Sequence, residues 1–207
     1  MGRTVWVTAD THFGEADAIS RFGRPFTDVR EMDEALLDAI NRRVGRRDVL
    51  LHLGDVFGSL DWQSSGARRD ARALLARIRC RRIRLVRGNK DPESRGFARC
   101  FDRVDESRSF RVQGPGTDVR LRVVCHHYPL RQWRGMWDGA LHLHGHAHGS
   151  VEEVGRSLDV GVDCWGLAPL LLDDAIRILC ARPVDDGGYL RRVPSRPATA
   201  LPDQPPL

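Results

Sequence analysis

Lysine is almost absent from this chain: Lys90 is the only one in 207 residues otherwise crowded with arginine. Any chemistry that needs an ammonium group therefore has one place to use it. No CxxC pair occurs, and the five cysteines Cys80, Cys100, Cys125, Cys164 and Cys180 are scattered and odd in number. That pattern suggests neither a disulfide framework nor a zinc ribbon, and it suits a reducing compartment. No apolar run approaches the roughly 18 residues of a membrane span. The first residues, MGRTVWVTAD, enter strand-like sequence without a charged-then-apolar leader. A soluble, cytoplasmic chain with no membrane partner is expected. No internal repeat is found.

What is present fits one globular domain. At 41% hydrophobic and 29% charged, a chain of this length can bury a sizeable core. The domain is expected over residues 1–182. Residues 183–207, rich in Pro and Gly and poor in apolar residues, read as a mobile tail. The net charge of +5 admits a polyanionic partner. Its arginines fall in separate pairs such as Arg42-Arg43 and Arg81-Arg82 rather than in one tract, so nucleic acid is not the favoured partner.

Hydrophobic periodicity alternates along the first half. TVWVTAD, DVLLHLGD and RIRLVRG read as strands feeding loops. Between the first two, Asp28 with Glu31 resembles a capping pair, and Met32, Leu36, Leu37 and Ile40 follow helical spacing until Gly45. A second helix, ARRDARALLARIR, precedes the third strand, which gives the βαβ rhythm of an α/β fold. The second half holds the strand-like runs VRLRVVCHH, ALHLHGH and RSLDVGVD, with no long helix before LLLDDAIRILCAR. A second, more antiparallel sheet is expected from it.

Oxygen and nitrogen ligands gather where these strands end, which is where α/β folds place their sites. They are Asp10 and His12 in ADTH, Asp55 in LGDV, Asn89 in RGNKD, His126 and His127 in CHHYP, and His146 and His148 in HGHAHG. Along an extended backbone alternate side chains share a face, so Asp10 with His12, and His146 with His148, can aim at one place. Of His126 and His127 only one can do so, and alternation leaves either open. Carboxylate, amide and imidazole donors without thiolate suit manganese first, with iron, zinc or nickel as alternatives. Seven ligands exceed the needs of one ion and fit two neighbouring ions sharing a carboxylate. Taken singly, each piece has an ordinary reading as a cap, a turn or a surface imidazole. Their joint occurrence in this order is what removes it.

The ordered set D-x-H, G-D, G-N-x-D, H-x-P and G-H-x-H resembles the calcineurin-like metallophosphoesterase superfamily from Asp10 to His148. The stretches GRPF, MDEAL, HYPLRQW and DVGVDCWG are similar to a group of small bacterial and phage phosphoesterases within it. The resemblance implies a four-layer αββα sandwich of two mixed β-sheets flanked by helices. It implies two divalent metal ions, one on Asp10, His12 and His148, the other on Asn89, His127 and His146, bridged by Asp55. His127 is preferred to His126 because the ligand of the H-x-P block stands two residues before proline. The implied reaction is hydrolysis of a phosphate ester by in-line attack of a metal-bridging hydroxide, without a nucleophilic side chain. Diesters are preferred to monoesters, since no dedicated dianion pocket is announced. The expected substrate is a small phosphate ester or a nucleotide, with a nuclease as the narrower alternative.

The chain departs from the family at one residue. Where G-N-H-D is usual, Lys90 replaces the histidine, while Asp91 is kept to orient the neighbouring side chain. An ammonium keeps the charge and donors but is a poor proton source near neutral pH. Lys90, Asp91 and Asn89 are the expected catalytic residues, with Lys90 as an electrostatic clamp on phosphate. The alternative is a catalytically weak metal-binding scaffold or regulator. Arg24 and Arg131 could reach substrate phosphate, or hold structural ion pairs. His52, His142 and His144 are expected as strand or supporting residues, Asp159 and Asp163 as braces of the second sheet. Trp133, Trp137 and Trp165 could wall a pocket or fill core.

Overall fold

The computed structural model describes residues 3–58 and 60–184. The rest of the expected tail lies outside the described residues.

Two mixed sheets stack face to face. The first has the order β4-β3-β2-β1-β9, built from β1 (Val5–Thr8), β2 (Val49–His52), β3 (Ile83–Val86), β4 (Arg103–Asp105) and β9 (Leu170–Leu171). Its first four strands are parallel and β9 runs antiparallel to β1. Central β2, VLLH, is buried at every position, as a strand covered on both faces must be. The helices α1 (Asp17–Arg21), α2 (Val29–Arg43), α3 (Ser65–Ala76) and α4 (Arg95–Ala98) lie in the connections between these strands.

Local chemistry sets the helix ends. Asp28 caps α2 by accepting the N–H groups of Arg30 and Glu31. Glu31 reaches back to the N–H and hydroxyl of Thr27 rather than to Asp28, so the capping pair closes one residue earlier than expected. Met32, Leu36, Leu37 and Ile40 turn the buried stripe of α2 onto the first sheet, in one cluster with Leu50, Ile83, Leu85 and Phe97.

The second sheet has the order β5-β6-β7-β8, from β5 (Ser107–Gln113), β6 (Arg120–His126), β7 (Leu141–His144) and β8 (Ser157–Asp159). Only β5 and β6 are antiparallel; β6-β7 and β7-β8 are parallel. The antiparallel β5-β6 ladder is the longest in either sheet, so this sheet is the more antiparallel of the two, as expected, although two of its three strand pairs are parallel. Its parallel crossovers are loops, with one 3-10 turn between β6 and β7, and without a helix between them the strands carry no sequence signal of parallel pairing. Val7, Leu51, Leu53 and Val86 of the first sheet meet Val123, Cys125, Leu141 and Leu143 of the second, and α5 (Leu172–Cys180) adds Ala175, Ile176 and Leu179 to this layer. Part of the outer face of the second sheet is covered by the loop carrying Trp133, Met136 and Ala140. Among the described residues, no helix is long and apolar enough to cross a membrane.

Because β7 alternates, Leu141 and Leu143 face the core while His142 and His144 face outward. His142 Nδ1 donates to the Val124 carbonyl and Nε2 accepts the Leu130 N–H, so the ring must be neutral. Burial lowers its pKa to about 4. An unfolded histidine titrates near 6.5, so between those values the unfolded chain binds the extra proton. The stability tied to this ring is present above pH 6.5 and is lost as the pH falls toward 4. Comparing urea-unfolding curves of wild type and His142→Asn should show a stability gap that narrows across that window.

The strand ends of the first sheet approach closely. A Cβ on Gly88 would run into the Asp55 carboxylate and its N–H, and one on Gly54, at φ +101°, would stand 2.6 Å from the Gly88 backbone. Gly88→Ala should cost about 1–3 kcal/mol of unfolding free energy in a urea titration, by forcing these loops apart.

Candidate metal centre

Five of the six non-glycine residues with left-handed backbone among the described residues are Asp10 (φ 58°), His12 (50°), Asp55 (54°), His146 (68°) and His148 (48°). Such conformations cost free energy and persist only where the surroundings over-determine them. All five are candidate ligands, and of the seven only Asn89 and His127 lie outside this set. The alternation argument for Asp10 with His12, and for His146 with His148, is corrected by this backbone. The pairs converge from left-handed positions in turns past the strand ends, not from one face of an extended strand.

The convergence forms two neighbouring groups. One ligand atom each from Asp10, His12 and His148 lies within 4.8 Å of the others, and the same holds for Asp55, His127 and His146. Asp55 stands between them, with Oδ2 3.7 Å from His12 Nε2 and Oδ1 3.6 Å from His127 Nε2. Asn89 Oδ1 is 3.0 Å from His127 Nε2, and His146 Nδ1 is 3.3 Å from the same nitrogen. The first group is buried apart from part of His148; Asn89 and His146 are exposed, so the second opens to solvent. Of the histidine pair, His127 turns into the centre. His126 turns to the other side of the strand, where Nδ1 receives the Tyr128 N–H.

Three of the candidate imidazoles are aimed by a fixed acceptor on the far side of the ring. His12 Nδ1 donates to Glu15 at 2.5 Å, His127 Nδ1 to the Leu53 carbonyl at 2.8 Å, and His148 Nδ1 to Asp163 at 2.7 Å. The Nε2 lone pairs of these rings are left facing inward. Burial lowers the pKa of His12 and of His127 to about 4, and lowers that of His146, so the rings stay neutral. Burial, with Asp159 and Asp55 nearby, raises Asp10 well above the usual carboxylate range; burial also raises Asp55.

This is a set of acceptors facing acceptors. Asp10 Oδ1 and His12 Nε2 are buried with no hydrogen-bond partner. Around His127 Nε2, itself an acceptor, stand Asn89 Oδ1, His146 Nδ1 and Asp55 Oδ1. Buried lone pairs without protons are costly unless a cation takes them, and neutral imidazole with carboxylate and amide oxygen is a donor set for divalent metals. The residues fit the ions.

The remaining expected residues fall in varied places. Lys90 is part-buried, and its N–H donates to Asp55 Oδ1 at 2.8 Å. Asp91 is buried and accepts the N–H groups of Asp55, Val56 and Gly88, so it orients backbone rather than the side chain at position 90. Arg24 is buried, donating to both Asp163 oxygens and to the carbonyls of Asp10 and Thr11, so every branch of its fork is engaged inside the fold. Arg131 is exposed and lines a hollow of about 390 Å³ with Leu130, Trp137 and Val154. Asp163, read as a brace of the second sheet, instead joins Arg24 to His148. Asp159 accepts the N–H groups of Gly149 and Gly161. His52 is buried against Thr11, and His144 pairs with Glu153. Trp133 is core and Trp137 is exposed, while Trp165 donates to the Asp159 carbonyl.

Two residues escaped the sequence reading. Glu15, three residues beyond His12, had a spacing that could have betrayed it. Phe22, whose ring stacks on His148 at 3.5 Å, had none.

Comparison with known proteins agrees with the geometry. The chain is 26% identical over 184 residues to the uncharacterized protein MJ1445 of Methanocaldococcus jannaschii, covering 86% of this chain and 92% of that protein. It is 30% identical over 192 residues to the Gene 66 protein of Mycobacterium phage L5, covering 78% and 87%. The crystal structure of AQ665, a protein of unknown function from Aquifex aeolicus, shares the fold at TM-score 0.60 and 19% identity, over 86% of this chain and all of that one. The family model described as calcineurin-like phosphoesterase matches residues 3–161, a span that holds every candidate ligand, and the chain belongs to that family.

Proposed function

We propose that this protein hydrolyses phosphate esters, diesters in preference to monoesters, at a centre of two divalent ions. Asp10, His12 and His148 would hold one, Asn89, His127 and His146 the other, with Asp55 shared. The observation that carries this reading is the position of Asp55, whose two oxygens face the two ligand groups separately. Manganese suits the nitrogen and oxygen donors, with iron, zinc or nickel as alternatives. Two such ions would acidify a water toward a pKa of about 7 and neutralise charge on the phosphoryl oxygens.

The protein's own part is positioning. Glu15, Asp163 and the Leu53 carbonyl fix the rings, and Asp91 fixes the loop that presents Asp55 and Asn89. The ester enters from the open side, past Asn89 and His146, with Lys90 beside Asn89 to hold a phosphoryl oxygen as a point charge. The weakly active scaffold remains the alternative because the ammonium cannot replace an acid near neutral pH.

Metal-stripped protein, given Mn, Fe, Zn, Ni or Mg singly, should hydrolyse an aryl phosphodiester faster than the monoester, and Asp55→Asn should abolish turnover. Silence with every metal, from protein that still binds two ions, would leave the scaffold reading standing.

Asp163→Asn should weaken metal affinity or activity about 10- to 100-fold, because His148 loses its anionic anchor. Isothermal titration with Mn would read this without turnover.

Lys90→Ala should lower turnover of every ester about 10- to 100-fold, the worth of a charged hydrogen bond. Lys90→His should improve alkyl esters more than aryl ones, and equal gains on both would count against a missing proton donor at this position.

A further inference from the structure

The outer face of β5 and β6 carries an arrangement that the fold itself does not explain. Arg111 and Arg122 stand directly opposite one another in the antiparallel ladder, and Arg120 faces Gln113 beside them. Phe110, Val112, Leu121, Val123 and Cys125 turn into the core between the sheets, so alternation puts all three arginines on the outer face. Like charges directly opposite across a ladder are destabilising. Nothing offsets this: among the described residues none of the three forms an ion pair. Arg122 donates to the Ser109 hydroxyl and Arg120 to the Arg111 carbonyl, both neutral acceptors. By contrast Arg103, on β4 of the first sheet, and Arg108, near the start of β5, share Asp105. Arg111 and Arg120 are exposed, and Arg122 lies against Gly135, next to exposed Arg134.

The row has a direction. On β6 the same alternation continues from Arg120 and Arg122 to His126, with Val124 between them under the Trp133 loop. Beside it the open path follows β5 through exposed Ser109 and Ser107, which pair with Val124 and His126, and two residues past the end of β6 comes Tyr128. The Tyr128 ring is 41% exposed, and it meets His126 at 5.8 Å, His127 at 5.1 Å and His146 at 4.6 Å. It therefore joins the arginine face to the candidate centre. His126, Tyr128, Asn89, Arg87 and Glu93 line a hollow of about 300 Å³ at that junction.

We propose that this face is a track for single-stranded nucleic acid, with phosphates on Arg111, Arg120 and Arg122 and a base stacked on Tyr128 beside the scissile diester. Positive side chains along a path with an aromatic platform are the features that bind such strands without sequence preference. A paired base is already stacked within its duplex, so an exposed ring at the end of the path selects unpaired ones. From Arg122 to the strand end at His126 is about 13 Å, with Tyr128 in the bend just beyond. At 3.4 Å per nucleotide that accommodates about four stacked nucleotides. The cleavage part of this inference rests on the phosphodiesterase reading above; the binding part does not.

Binding is tested on metal-stripped full-length protein, by fluorescence anisotropy of a labelled single-stranded oligonucleotide longer than the track, over a range of salt. Arg111→Gln/Arg122→Gln should weaken binding and make the log Kd against log salt slope shallower by about 1.4, at about 0.7 per lost phosphate contact. Arg111→Lys/Arg122→Lys should restore the slope, which a variant damaged in folding would not permit. Tyr128→Leu should weaken binding about tenfold or more with the slope unchanged. With metal restored, the double Gln variant should raise KM for the oligonucleotide while leaving a small aryl diester untouched.

An unchanged slope in the double Gln variant, or no binding by wild type, overturns the track. So does tighter binding of a duplex, or binding only to phosphatidylserine vesicles. Oligonucleotide binding that follows the arginines in a protein inert toward every ester would support the track and overturn the phosphodiesterase reading. Ester hydrolysis with no arginine effect on oligonucleotides would do the reverse.

Discussion

The carboxylate of Asp91 accepts three backbone N–H groups, from Asp55 at 2.9 Å, Val56 at 3.0 Å and Gly88 at 2.8 Å. It lies buried between the ends of β2 and β3, and burial raises its pKa to about 6. The two loops it ties together carry Asp55 and Asn89, and through the Lys90 N–H they also fix the Asp55 carboxylate. Without that buried acceptor three amides would be left unsatisfied and the loops would lose their common anchor. The glycines at 54 and 88 leave the space in which this contact forms.

The left-handed residues carry the same logic to the other loops. Asp10 Oδ2 accepts the His146 N–H, so a candidate ligand of one sheet holds the backbone of a candidate ligand from the other. Arg24 fixes the Asp10 and Thr11 carbonyls from beneath while it holds Asp163 against His148. Free energy is stored in unfavourable backbone at five candidate ligand positions and offset by buried hydrogen bonds around them. The pKa shifts follow from that enclosure: burial keeps imidazoles neutral and makes carboxylates hard to ionise, conditions under which cations and protons compete for the same lone pairs.

Much was legible in the sequence because the relevant signals are local or carried by order along the chain. The helix of Met32, Leu36, Leu37 and Ile40 lies where its spacing put it. The blocks from Asp10 to His148 come together at one edge of the two sheets. The reason given for their convergence was wrong in detail, since a left-handed backbone at Asp10 or His146 leaves no mark in composition. The part played by Asp163 was misread for a related reason: its partners, Arg24 and His148, are 139 and 15 residues away. The parallel pairing of β6, β7 and β8 was hidden by crossovers that lack helices.

The sequence by itself determined the periodicities, the set of oxygen and nitrogen donors, their order along the chain and the replacement of a histidine by Lys90. Each is a property of residue identity and spacing. The tertiary structure decided which nitrogen of each ring faces the centre, that His127 rather than His126 does so, that Arg24 is enclosed, and that Arg111 meets Arg122 across a ladder. Those outcomes depend on which distant backbone carbonyl, carboxylate or strand lies beside each side chain, and only the packing of the two sheets sets that.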